Sequence, residues 1–111
     1  MATRSVTELK DDKGNSIRYY HHYDGYPKGV GKILLGNLAI VISAAKAGGV
    51  SKFEKFKELL DEDEAFEEGD FSNEEYTYYV ELSDEVDTIY YDKYGYIGSQ
   101  FCIEEEHVKL Y

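Results

Sequence analysis

Apolar and polar residues alternate with a period of two toward both ends of the chain and with a helical period between them. Residues 3–10 are rich in β-branched side chains and read as a first strand. Asp11-Asp12-Lys13-Gly14-Asn15 is a turn in which Gly14 or Asn15 can take a positive φ. Residues 16–23 form the second strand of this hairpin. Ile17, Tyr19, His21 and Tyr23 fall on one face, Arg18, Tyr20 and His22 on the other. Asp24-Gly25-Tyr26-Pro27 stops the strand, and Gly29 and Gly31 loosen the backbone beyond it.

The period changes at residues 30–47. Lys32, Gly36, Ala39, Ser43 and Lys46 share one helical face, and Ile33, Leu34, Leu35, Leu38, Ile40, Val41 and Ile42 fill the rest. So wide an apolar arc predicts a central helix packed on the sheet and touched by a second element. Gly48-Gly49 ends it. Ser51 and Glu54 have capping-box spacing, which predicts a shorter helix to about Leu60 with Phe53, Phe56 and Leu60 as its stripe. An acidic loop follows, with at most a helical turn at Ala65 and Phe66. Residues 75–82 alternate as a half-buried strand: Tyr76, Tyr78, Val80 and Leu82 against Thr77, Tyr79, Glu81 and Ser83. Residues 88–91 and 96–103 read as two more strands, with turns at 84–87 and 92–95. Residues 104–111 fit a short strand or a frayed helix equally. The expectation is a single α+β domain over residues 1–111. Its antiparallel sheet, in the order β-β-α-α-β-β-β, carries two helices packed on one face.

Composition sharpens this picture in three ways. A chain of 111 residues, 42% hydrophobic and 15% aromatic, can build its own core. Twelve tyrosines and no tryptophan supply half-buried rings with polar tips. One cysteine, Cys102, rules out a disulfide framework and points to a reducing compartment, the cytoplasm; its expected role is a small core residue on the last strand. The start lacks an apolar signal segment, and the run at 33–45 is broken by Gly36, Asn37 and Ser43, so no membrane span is expected.

The charge is the strongest chemical signal. Residues 1–60 hold ten basic and six acidic side chains, a net of +4, whereas residues 61–111 hold two basic and seventeen acidic, a net of −15. An acidic face repels nucleic acid and membranes and attracts proteins with basic grooves. The acids at Asp61, Glu62, Asp63, Glu64, Glu67, Glu68, Asp70, Glu74 and Glu75 are interleaved with Phe66, Phe71, Tyr76, Tyr78 and Tyr79. Carboxylates spaced along a surface can imitate a phosphate backbone, and aromatics among them supply contact area. A plain solubilising surface is the competing explanation. A calcium loop is disfavoured, since Gly69 comes too late for the required order.

The segment 19–31 offers a second candidate. His21 and His22 are adjacent, so they point to opposite faces and cannot readily hold one metal ion; His22 and Asp24 share a face. Gly25 and Gly31 are separated by five residues and Ile33 follows Lys32, so the phosphate-loop pattern fails, and the dinucleotide pattern fails by one place at Gly36. Backbone N–H groups at a helix start, with Arg18, His22, Tyr26, Lys28 and Lys32 around them, could still hold a nucleotide. A glycine-loosened turn into a helix explains the same residues. No cofactor and no metal are expected.

Tyr20-His21-His22-Tyr23-Asp24-Gly25-Tyr26-Pro27-Lys28-Gly29 resembles a Y-R-H-x-D-G-Y-P-x-G signature of small proteins from bacteriophages, prophages and mobile elements, with His21 in the place of the usual arginine. The resemblance covers the hairpin and the first helical turn. It implies a mobile-element setting in a bacterial host cytoplasm and nothing about catalysis. Small acidic proteins of that setting often inhibit host defence, as anti-CRISPR proteins do. The expected function is therefore a non-enzymatic inhibitor whose acidic half mimics nucleic acid and occupies the basic groove of a host defence nuclease. The chain itself would not bind nucleic acid, and a homodimer is a further expected arrangement. A nucleotide sponge using the glycine-rich turn is the alternative.

Overall fold

A computed structural model describes residues 3–72 and 74–93, and the backbone of 100–102. The fold is α+β. Strands β1 (Ser5–Asp11) and β2 (Ser16–His21) form the expected hairpin. Its turn is held by the Asp11 carboxylate, which accepts from the N–H groups of Lys13 (3.0 Å) and Asn15 (2.9 Å), while Gly14 takes φ +89°. A π-helical turn at Pro27–Gly31 leads directly into α1 (Lys32–Ala47), and α2 (Lys52–Asp61) follows. Ser51 caps α2 by accepting from the Glu54 N–H at 3.3 Å, as its spacing predicts. Then come β3 (Phe66–Glu68), β4 (Tyr76–Leu82), β5 (Thr88–Lys93) and β6 (Gln100–Cys102).

The sheet is mixed, in the order β3-β2-β1-β4-β5-β6, rather than purely antiparallel. The parallel pair is β1 with β4, in register from Ser5 opposite Tyr76 to Asp11 opposite Leu82. Chain direction explains it. β2 leaves the sheet beside the start of β1, where the Gly25 N–H bonds Thr3 O at 2.8 Å. The helices run out and back, so the chain re-enters at that same end. A strand that starts there runs with β1: antiparallel if it joins β2, as β3 does, and parallel if it joins β1, as β4 does. The segment expected to be an acidic loop thus contains the edge strand β3. Residues 92 and 93, expected in a turn, extend β5. Residues 94–99 and 103–111, including His107 and the tail, lie outside the described residues, as does the side chain of Cys102.

One sheet face packs on the helices. Leu9, Tyr19, Tyr78, Val80, Leu82 and Ile89 meet Leu34, Val41, Phe53, Phe56 and Leu60 in one core. Each fully buried apolar side chain of this kind contributes about 1.5–3 kcal/mol. No helix covers the other face among the described residues. Val6 is nevertheless 0% exposed there, between its register partners Tyr20 and Thr77. The β3–β4 connection crosses this side: Asp70 pairs with Arg18, Phe71 packs on Tyr20 with ring centres 4.1 Å apart, and Arg4 lies over Phe71.

Candidate interaction surface

The nine acids expected to bind a partner divide into two groups. Glu62 and Glu64 precede β3, Glu67 and Glu68 lie on it, and Asp70 follows it; all five are exposed. They ring the outermost strand of the sheet. On the strand itself Glu67 and Glu68 are neighbours, about 3.3 Å apart along the chain, and project to its two faces. Asp70 is anchored at one end, its carboxylate 3.3 Å from Arg18 Nε and its side chain 93% exposed.

The other four have structural duties. Asp61 accepts from Tyr19 Oη (2.7 Å) and from Lys57 Nζ (3.0 Å). Burial opposes its charge, but these two donors prevail and hold the carboxyl below its ordinary range. Burial, reinforced by Asp61, pushes the Tyr19 hydroxyl far up. Asp63 accepts from the Ala65 N–H at 3.0 Å and shapes the turn into β3. Glu74 accepts from Thr77 Oγ1 at 3.0 Å, and Glu75 N–H bonds Arg4 O at 3.0 Å. The half-buried positions of Asp63, Glu74 and Glu75 fit that role.

The uncovered sheet face adjoins this edge, and it carries a polar network in which sequence reading did not single out Glu8, Tyr90 and Asp92. Arg18 donates to Glu8 at 2.7 Å. The rings of Tyr79 and Tyr90 stack at 4.9 Å, Tyr79 Oη donates to Asp92 at 3.1 Å, and Tyr90 Oη donates to Glu81 at 2.6 Å. Burial pushes the Asp92 carboxyl up, and nearby Glu74 and Glu8 push it further against the Tyr79 bond. Burial and Asp92 in turn raise the Tyr79 hydroxyl to about 12. The alternation Val6, Glu8, Lys10 in β1 was the available signal for this face.

At the glycine-rich turn the backbone donors of Gly25, Gly29 and Val30 are already used. Gly29 N–H bonds Tyr26 O at 2.9 Å, and Val30 N–H bonds Asp24 O at 3.0 Å. The glycines serve packing instead. A Cβ on Gly29 would sit 2.0 Å from Asp24 O, and one on Gly25 would sit 2.7 Å from Thr3 O. Tyr78 Oη donates to Gly25 O at 2.6 Å, tying the turn to β4. Three of the five residues expected around a nucleotide have other partners. Arg18 pairs with Glu8 and Asp70, His22 bonds the Tyr20 hydroxyl, and Tyr26 bonds Asp24 at 2.9 Å. Lys28 has its own interactions, and Lys32 stands exposed at the start of α1. His22 and Asp24 are thus each bonded to a tyrosine rather than to one another. His21 is buried on the helix side, its ring 4.6 Å from Phe66, and burial pushes its pKa down.

Comparison with models of protein families, with curated proteins and with solved structures finds no match.

Proposed function

We propose that the protein is a non-enzymatic interaction protein whose β3 edge occupies the basic, nucleic-acid-binding groove of a partner. The observation that carries this reading is the group of five exposed carboxylates, Glu62, Glu64, Glu67, Glu68 and Asp70, gathered along one sheet edge. A charged edge also discourages strand-to-strand aggregation, which a single lysine or glutamate accomplishes. Five exposed acids in nine residues exceed that need and create a local field that steers a basic partner. Phe71 and Tyr20, packed together beside the edge, offer ring area of the kind that anchors interfaces. The resemblance of residues 20–29 to phage and mobile-element proteins supports a host defence nuclease as that partner, in the manner of anti-CRISPR inhibitors.

The test compares wild type with the variant E62Q/E64Q/E67Q/E68Q as baits in host lysate, with mass spectrometry of what each retains. The expected result is a nucleic-acid enzyme held by wild type at low salt, released at high salt, and not held by the variant. Equal retention by both baits, or retention indifferent to salt, would remove the acidic edge from the interface.

A further inference from the structure

Helix α1 is apolar on nearly every side, yet only Leu34 and Val41 along it are buried. Such a helix belongs between two layers. Here the rest of the chain covers one side of it. The other side leaves Gly36, Ala39, Ile40, Ser43 and Ala47 exposed, with Ile40 at 49%. Pro27–Ala47 is long and apolar enough, by length and composition, to cross a bilayer, and it is continuous because the π-helical turn runs into α1. A shallow groove of about 570 Å³ runs along it, lined by Ala39, Ile40, Ser43, Ala44, Ala47 and, from α2, Lys55. A Cβ on Gly36 would meet nothing within 4 Å, so no contact among the described residues accounts for a glycine in mid-helix.

We propose that this face is a two-fold self-association surface. The α1 helices of two copies cross near Ala39 and Ser43, and Ile40 of each copy enters the groove of the other. The small side chains permit the close approach that helix packing requires. A two-fold patch must be complementary to itself, and the charges here satisfy that condition. Helix α1 carries Lys32 and Lys46 and no carboxylate, while α2 beside the groove carries exposed Glu54, and Glu58 whose carboxylate is shared with Lys55 of the same helix at 3.0 Å. Rotation about the two-fold turns the lysines of one copy toward the glutamates of the other. An anionic lipid surface would satisfy the lysines but meet Glu54 and Glu58 unfavourably. A 16-residue helix is about 24 Å long, and one helix pair buries at most about the 800 Å² per partner of a standard interface, so the association is reversible and depends on concentration.

Sedimentation velocity on the full chain, from about 5 μM to about 500 μM, tests this. The expected result is a reversible shift from monomer to dimer that persists in 1 M salt, because most of the contact is apolar. I40E should raise the dissociation constant at least tenfold and leave the melting temperature of dilute protein unchanged, since half of Ile40 already faces water. S43C on a C102S background should form an interchain disulfide under mild oxidation. A wild type that stays monomeric at about 500 μM would overturn the proposal, as would a dimer unaffected by I40E. Flotation of a monomeric chain on vesicles with about 30% phosphatidylglycerol would overturn it in favour of a lipid occupant.

Discussion

Replacing Gly29 by alanine should be among the most damaging single-atom additions to this fold. The new Cβ would stand 2.0 Å from Asp24 O, 2.9 Å from Asp24 Cβ and 3.0 Å from Asp24 C. The first distance is far inside van der Waals contact, and the obstacle is backbone, which has no rotamer to escape into. Either the turn opens or α1 moves. Opening it sacrifices the Val30 N–H to Asp24 O bond (3.0 Å) and the Gly29 N–H to Tyr26 O bond (2.9 Å). At about 1 kcal/mol each, with about 1–3 kcal/mol for overpacking, the loss is about 3–5 kcal/mol. A domain of this size has roughly 5–15 kcal/mol in total. The melting temperature, followed by circular dichroism, should fall by roughly 12–20 °C at about 4 °C per kcal/mol. Gly36→Ala is the internal control. It lies exposed in mid-helix with nothing within 4 Å of the added atom, so it should gain up to about 1 kcal/mol. A fall of less than about 4 °C for G29A would refute the packing described for the turn.

Further outcomes follow from the core and the buried ionisable groups. Phe56→Ala removes a fully buried ring and should cost about 3–5 kcal/mol in urea unfolding, unlike any substitution at exposed Glu62. Burial holds the His21 pKa below its ordinary value, so the unfolded chain takes up the proton first. Its share of stability is complete above the ordinary histidine range and is lost as pH falls from there through the folded value; H21F should flatten the melting curve between about pH 7 and 5. Asp92 behaves oppositely. Its raised pKa means that the native state prefers the proton, so its contribution is fully present below the ordinary carboxylate value and is lost as pH rises through the folded one. D92N keeps an oxygen for the Tyr79 hydroxyl and should melt higher than wild type at pH 7.

The local elements were legible in the sequence because each rests on short-range chemistry. β-Branched content marked β1, alternation marked β2 and β4, the Gly48-Gly49 pair ended α1, and Ser51 with Glu54 marked the start of α2. The edge strand β3 was not legible, since Phe66-Glu67-Glu68 is too short to show a period and its acids have low strand propensity. Its pairing with Tyr19, Tyr20 and His21 comes from tertiary structure alone. The parallel β1–β4 pair was accessible in principle from the count of two helices between hairpin and sheet, but an antiparallel sheet was assumed. At the site, the sequence showed where the charge lies. It did not show which acids are spent on Tyr19, Lys57, Thr77 and the turn into β3, because those partners are distant or set by backbone geometry. The Gly29 and Val30 amides of the glycine-rich turn looked free for an anion and are in fact consumed by carbonyls of Tyr26 and Asp24.

The central claim is that the β3 edge competes with nucleic acid for a basic groove. Its most direct test is a displacement isotherm. Fluorescent DNA is bound to the enzyme captured from host lysate, and the protein is titrated in at several salt concentrations. Full displacement by wild type is predicted, with an apparent affinity that falls steeply with salt. The variant E62Q/E64Q/E67Q/E68Q should be weaker by about 1–4 kcal/mol, at about 0.2–1 kcal/mol per exposed carboxylate. A ternary complex in which the DNA stays bound while the protein associates would contradict the account.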